Sequence, residues 1–175
     1  MLMSMLESAG MPIVSDGRRE ADEDNPRGYW EDERIKRLKK NDTWLFQAKG
    51  KAIKVVSPLL RSLPPVFYYR VLFMDRNLRE VLESQKKMLE NRGMCVSPDE
   101  DAELKKSFEK HLLEVKEWLR QQPNFECLYV EYSGILKQPF QEAKRVKGFL
   151  EADFDLRAMI APIDEELYRN RVEDS

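Results

Sequence analysis

The sequence predicts an α/β fold in a single domain, with a parallel sheet flanked by helices. Short apolar runs typical of strands alternate with stretches of helical spacing, and these helices are long enough to cross over between parallel strands. The chain has 175 residues, of which 42% are hydrophobic and 35% charged, and this composition suits one globular core with a heavily charged surface. We therefore treat residues 1–175 as one domain.

The first half of the chain predicts short elements separated by loops. Leu2 to Ala9 is expected to form a helix that ends at Gly10, because glycine commonly follows a last helical turn. Residues 15–29 are polar and rich in turn-forming residues, which predicts a loop. A helix is then expected from Glu31 to about Ala48, followed by a brief strand from Ala52 to Val56.

The second half has clearer patterns. It predicts a strand at 69–74, helices at 77–91 and 97–121, a strand at 125–132, and helices at 140–150 and 164–170. The helix at 77–91 carries Leu78, Val81 and Leu82 on one face. The next helix opens with a serine cap at Ser97 and Glu100 in the capping-box position. These strands and helices supply most of the predicted core.

The predicted sheet has few strands. Only about three segments are credible strands, and the first helix has no strand before it. In a fold built from strand–helix–strand units, a helix at the very start of a chain predicts that its leading strand is not part of the sequence given. The expected fold is therefore a parallel sheet that lacks its first strand.

Composition excludes several classes of protein. The net charge of −2 and the pI near 5.7 argue against a broad nucleic-acid-binding face, although 30 Lys and Arg residues leave room for local basic patches. Cys95, Cys127 and the single His111 are too few for a disulfide framework or a histidine metal site. No run is long and apolar enough for a membrane span, and the N-terminus lacks the basic start of a secretory signal. We expect a reduced, soluble, cytoplasmic domain.

The stretch YRVLFMDRNLREVLESQ, at residues 69–85, is the strongest candidate for a binding site. It predicts a strand that ends at Arg76 and turns directly into a helix that carries Ser84. Ligands of open α/β sheets bind where strands end and helices begin, and an arginine fork with a hydroxyl suits a phosphate. The alternative is that Arg76 pairs with Glu80 or Asp75 on the surface.

Several segments, in their order along the chain, carry a resemblance to a known family. They are MLMSMLESAGMPIVSDGRREADEDNPRGYWE, KVVSPLLRSLP, YRVLFMDRNLREVLESQ, LYVEYSGIL and IDEELYRNR. Together they resemble the P-loop sulfotransferases, and more closely the bacterial sulfotransferase-domain proteins. The resemblance covers nearly the whole chain and implies a P-loop-NTPase-like sheet.

The resemblance also implies an activity. Members of the family transfer a sulfonate group from 3′-phosphoadenosine 5′-phosphosulfate (PAPS) to an acceptor hydroxyl or amine, and no metal is implied. The positions that match the residues holding the 3′-phosphate of the donor are Arg76 and Ser84. The implied partners are this nucleotide and an acceptor, while neither the acceptor nor the oligomeric state can be read from the sequence.

Sulfonate transfer needs a base to take the proton of the acceptor, and relatives use a histidine or a glutamate in the loop region. Glu31 is the preferred candidate, with Asp22 and Glu20 as rivals and a plain first-turn role for Glu31 as the alternative. Related proteins often place a lysine directly before the Ser-Pro pair. Val56 holds that position here, and Lys54 is a weak substitute because residues two apart share a strand face.

Other residues of the same types have simpler expected uses. Arg18, Arg19 and Arg27 could neutralise a transferring sulfonate, but exposed loop arginines are common. His111 is expected in packing or at the surface. The three tryptophans (Trp30, Trp44 and Trp118) are expected in core packing, with adenine stacking as the alternative.

The family's donor-binding loop, of the type Gly-x-Pro-Arg-Ser-Gly-Thr, is expected immediately before MLMSML. Its backbone amides would hold the reacting end of the donor, so the resemblance predicts poor catalysis by the residues given alone. Two other functions stay open. One is a non-catalytic module that binds a 3′-phosphonucleotide or another protein, and the more distant one is a P-loop kinase-like fragment.

Overall fold

Four parallel strands form two small sheets in a computed structural model that describes residues 1–22, 25, 28–91 and 98–164, without the side chains of 88–91 and 98–101. Strands β1 (Ile13–Val14) and β2 (Ala52–Ile53) make one pair, and β3 (Tyr69–Asp75) and β4 (Phe125–Glu131) make the other. Both pairs are parallel, and the register of the longer pair runs from Tyr69 beside Phe125 to Asp75 beside Glu131. The prediction of a mixed α/β fold with parallel strands is confirmed.

Helices flank these strands. They are α1 (Leu2–Ser8), α2 (Leu78–Asn91), α3 (Pro98–Gln121), α4 (Tyr132–Lys137), α5 (Pro139–Leu150) and α6 (Leu156–Ile160), and three short 3₁₀ segments lie at Glu33–Arg37, Thr43–Ala48 and Ser57–Ser62. Within the described ranges, no helix combines the length and the apolar character needed to cross a membrane.

The longer strand pair lies between two layers of helices because side chains alternate across a strand. On one face, Leu72, Met74 and Val130 pack with α1, α5 and α6, in a cluster whose fully buried members include Met5 and Met159. On the other face, Phe73, Val71 and Cys127 pack against Val115 and Leu119 of α3. Arg76 follows directly after a strand that is fixed from both sides.

The helix predicted from Glu31 to Ala48 is wrong. The structure has two short 3₁₀ segments there, and the chain turns between them at Asn41, whose side chain accepts hydrogen bonds from the backbone N–H and the hydroxyl of Thr43 at 3.3 and 2.8 Å. Asparagine side chains that bond the backbone in this way compete with helix formation. At the start, Asp32 has an extended backbone, with φ −136° and ψ 119°, and it caps the 33–37 segment, so no helix begins at Glu31.

Short elements that were not predicted include β1, α4, α6 and the 3₁₀ segment at Ser57–Ser62, and the strand expected at 52–56 covers only Ala52–Ile53. Elements of this length contain too few residues for a periodic pattern. The Ser97 cap and most of the helix expected at 164–170 lie outside the described residues. The strand expected before α1 stays a prediction.

Candidate functional site

Four side chains from the polar loop and the end of β2 form what we call the Glu31 cluster: Arg19, Tyr29, Glu31 and Lys54. Lys54 Nζ lies 3.2 Å from Glu31 Oε1 and donates a second hydrogen bond to the carbonyl oxygen of Tyr29 at 3.0 Å. Arg19 Nη1 lies 3.5 Å from both oxygens of the same carboxylate. Glu31 is thus shared by two cations from segments far apart in sequence.

The aromatic ring of Tyr29 contacts both cations of the Glu31 cluster. Its ring is buried, and the guanidinium carbon of Arg19 lies 3.2 Å from the ring centroid, while Lys54 Nζ lies 5.7 Å from it. Both contacts place a cation over a negative aromatic face. The hydroxyl of Tyr29 donates to Asp22 at 2.7 Å, and burial together with this carboxylate raises the pKa of the phenol. Asp22, a predicted rival base, therefore accepts a hydrogen bond from Tyr29 and helps to position its ring.

The loop takes this path because polar side chains bind its backbone. Asp16 accepts hydrogen bonds from the backbone N–H groups of Glu33 at 2.9 Å and Arg18 at 3.0 Å, and these two bonds hold the pKa of its carboxyl below the usual range. The carbonyl oxygen of Glu31 accepts from the Asp16 N–H at 3.1 Å. The loop is therefore closed across Asp16 and Glu33.

Asp32, directly after Glu31, anchors the exit from the loop. Its side chain is 1% exposed and receives the Nε and Nη2 groups of Arg34 at 2.9 and 2.7 Å. It also accepts the backbone N–H of Arg34, which makes it the cap of the 33–37 segment. The Arg34 hydrogen bonds hold the pKa of this carboxyl below its usual range. The sequence reasoning did not single out this residue.

Lys54 and Arg76 each come directly after a strand, Lys54 after β2 and Arg76 after β3. The guanidinium carbon of Arg76 lies 4.4 Å from the centroid of the Tyr132 ring, and Tyr132 is the residue that follows β4. The Nε atom of Arg76 is buried and has no hydrogen-bond partner in the described part of the chain. Burial raises the pKa of Tyr132, and the nearby Arg76 charge opposes that rise.

The structure bears in part on the alternative that Arg76 pairs with Asp75 or Glu80 on the surface. Asp75 pairs with Lys116, whose Nζ lies 2.5 Å from Oδ2, so this neighbour is engaged elsewhere. Glu80 is buried at 4% exposure and contributes to the electrostatic surroundings of Tyr132. Ser84 lies half-buried on α2, about two turns after Arg76.

The remaining predicted residues lie apart from the cluster. Glu20 is exposed, and no contact within the described residues ties it to Glu31. Arg18 is 75% exposed and lies 3.9 Å from Asp16, while Arg27 lies outside the described residues. Trp44 and Trp118 pack in apolar clusters, which confirms the expected use of these two tryptophans.

A hydrogen bond that the sequence did not indicate joins the 57–62 segment to α3. Ser57 Oγ lies 2.9 Å from His111 Nε2, and both residues are half-buried. The two residues are 54 positions apart, so no local spacing could have indicated the pair. His111 thus positions the start of the 57–62 segment, three residues after Lys54.

The chemistry available to the Glu31 cluster is proton transfer beside cationic groups. A carboxylate can accept a proton, and the adjacent lysine and arginine can stabilise an anionic group next to it. Within the described ranges, no group of three or more His, Cys, Asp or Glu residues could hold a metal ion.

Comparison of the chain with known protein families, with curated proteins and with solved structures finds no match.

Proposed function

We propose that this protein is a sulfotransferase-type transferase with a P-loop-NTPase-like sheet, which binds PAPS and transfers its sulfonate to an acceptor hydroxyl or amine. The observation that carries the proposal is Arg76. It lies at the carboxyl end of the longer strand pair, beside Tyr132, and its buried Nε finds no hydrogen-bond partner among the described residues. A bound phosphate would satisfy this donor, since guanidinium groups pair with phosphate oxygens through two parallel hydrogen bonds.

The Glu31 cluster supports the acceptor half of the proposal. The acceptor oxygen would bond to sulfur as the bond from sulfur to the phosphate oxygen of the donor breaks, and the acceptor proton would pass to the Glu31 carboxylate. The product nucleotide, 3′-phosphoadenosine 5′-phosphate, would leave with the electron pair of the broken bond. Lys54, 3.2 Å from Glu31, and Arg19 would lie beside the charge that develops. The side chains of Glu31 and Lys54 are 34% and 35% exposed, so an acceptor can reach them.

Titration calorimetry with 3′-phosphoadenosine 5′-phosphate tests the nucleotide site without requiring catalysis. We expect the protein to bind it, and Arg76→Ala to weaken the affinity about 10- to 150-fold, the loss that follows from about 1.5–3 kcal/mol for hydrogen bonds to a charged group. Arg79→Ala is the matched control, because Arg79 is an exposed arginine three residues further on in α2. Equal loss in both variants, or no binding by the unaltered protein, would sink the proposal.

The same titration separates the competing functions. A P-loop kinase-like protein would bind ATP and would be indifferent to the 3′-phosphate, so adenosine 5′-phosphate would bind as well as the bisphosphate. A non-catalytic module derived from the family would bind the bisphosphate and lose it on Arg76→Ala, yet it would show no sulfonate transfer from PAPS to any acceptor alcohol or amine. An interaction module without a nucleotide site would give no heat with either nucleotide.

A further inference from the structure

A cavity of about 600 Å³ lies between the 35–40 segment and the 57–62 segment. Small-molecule sites have volumes of about 300–1,000 Å³, so a compact organic ligand fits here. One wall carries four cations, Lys36, Arg37, Lys39 and Lys40. We call this space the basic cavity. The nucleotide site proposed above does not include any of its residues.

The cations project from the protein because the residues between them are buried. Ile35 and Leu38 are 4% and 3% exposed and pack in the apolar cluster around Leu45. In a 3₁₀ turn, residues three apart lie on the same side, so these two side chains share the side that packs on the core, and they also line the cavity. The sequence RIKRLKK thereby becomes a rim of positive charge.

Most of this positive charge has no carboxylate partner among the described residues. Lys36 Nζ lies 2.6 Å from Glu33 Oε1, and this hydrogen bond raises the pKa of the lysine. No ion pair in the described part of the chain includes Arg37, Lys39 or Lys40, and all three side chains are exposed. Neighbouring like charges repel one another, and a multivalent anion would remove that cost.

The opposite wall of the basic cavity carries apolar groups and a hydroxyl in place of charges. Pro58 and Leu59 supply apolar surface and Ser62 supplies a hydroxyl. A ligand that satisfies both walls has a carbon framework and several anionic groups. The volume and the net charge of −2 favour a small molecule over a nucleic acid, which needs a long basic face.

We propose that the basic cavity binds a small organic polyanion with two or more phosphate or sulfate ester groups, at a site separate from Arg76. Arg37, Lys39 and Lys40 pair with the ester oxygens, and Pro58 and Leu59 contact the carbon framework. This site goes beyond the proposed transferase function and does not depend on it.

Calorimetry with myo-inositol hexakisphosphate and with a trisulfated heparin disaccharide tests the site, and the two probes distinguish phosphate from sulfate esters. We expect at least one probe to bind, with an affinity that falls as salt is added. The triple variant Arg37→Gln/Lys39→Gln/Lys40→Gln should weaken binding roughly tenfold or more. The matched control, Lys106→Gln/Lys137→Gln/Lys144→Gln, removes the same charge from exposed positions on α3, α4 and α5 and should change the affinity less than about threefold.

Four outcomes would overturn the proposal: no binding of either probe at 1 mM, equal losses in the two triple variants, a matching loss in Arg76→Gln, or tighter binding of a 12-base-pair DNA duplex with the same dependence on the triple variant. Circular dichroism melting of each variant checks that the fold is kept. Binding of 3′-phosphoadenosine 5′-phosphate should be unchanged in the Arg37 triple variant, so failure at one site is distinguishable from failure at the other.

Discussion

Replacing Asp32 by asparagine should destabilise the loop exit that positions Glu31. The carboxylate is 1% exposed and accepts three hydrogen bonds from Arg34, two from the guanidinium and one from the backbone. Asparagine keeps one acceptor oxygen for the backbone N–H but turns an amide N–H₂ towards the guanidinium. Removing one partner of a fully buried pair costs about 3–5 kcal/mol. The Arg34 side chain is 52% exposed and regains water in the variant, so we expect the free energy of unfolding to fall by about 2 kcal/mol.

Urea unfolding followed by tryptophan fluorescence measures this loss, because Trp44 lies under the Arg34 guanidinium at 4.4 Å. With a slope of about 2 kcal/mol per molar urea, the midpoint should fall by about 1 M. Glu33→Gln is the control. It removes an exposed ion pair with Lys36, which is worth at most about 1 kcal/mol.

The stability lost on Asp32→Asn should also depend on pH, and it should become smaller only at low pH. The folded pKa of Asp32 is lowered from 3.8, so its stabilising contribution is present above the unfolded value and is lost as the pH falls through the folded value. The difference between the parent protein and Asp32→Asn should be constant between about pH 5 and 8 and should shrink below about pH 3.8. A midpoint shift no larger than that of Glu33→Gln, or an undiminished difference at the lowest pH that keeps the fold, would refute the reasoning.

Two other predictions use unfolding by urea. Lys54→Met should cost about 1–2 kcal/mol because it removes the hydrogen bond to the Tyr29 carbonyl as well as the ion pair, whereas Glu31→Gln should cost at most about 1 kcal/mol; the reverse order would contradict the geometry. Ser57→Ala and His111→Ala should each cost about 1 kcal/mol, and the double variant little more than either, because both remove the same hydrogen bond; additive losses would show that the two side chains do not interact.

The long elements could be predicted from the sequence because their signals are local. The apolar run in 69–74 and the apolar spacing in 77–91 each lie within one element, and both elements were found close to the predicted bounds. The helix predicted at 31–48 was wrong for an equally local reason. The side chain of Asn41 accepts a hydrogen bond from the neighbouring backbone, and Asp32 caps a short turn.

The candidate site, too, was predictable only where its signals are local in sequence. The position of Arg76 after a strand follows from the sequence, whereas its contact with Tyr132 depends on the register of two strands 56 residues apart. Among the acidic residues of the polar loop, spacing could not decide which one meets Lys54. The structure selects Glu31 for that contact, places Asp22 against Tyr29 and leaves Glu20 exposed.

Local sequence patterns were enough to locate the longer strands and helices and the polar residues that follow the strands. These properties depend on neighbours within a few residues of one another. The three-dimensional fold was needed to show that Arg19, Glu31 and Lys54 share one site, that His111 contacts Ser57, and that the cations of 36–40 line a cavity. Such contacts depend on the path of the loops, and that path is set by which apolar side chains are buried together.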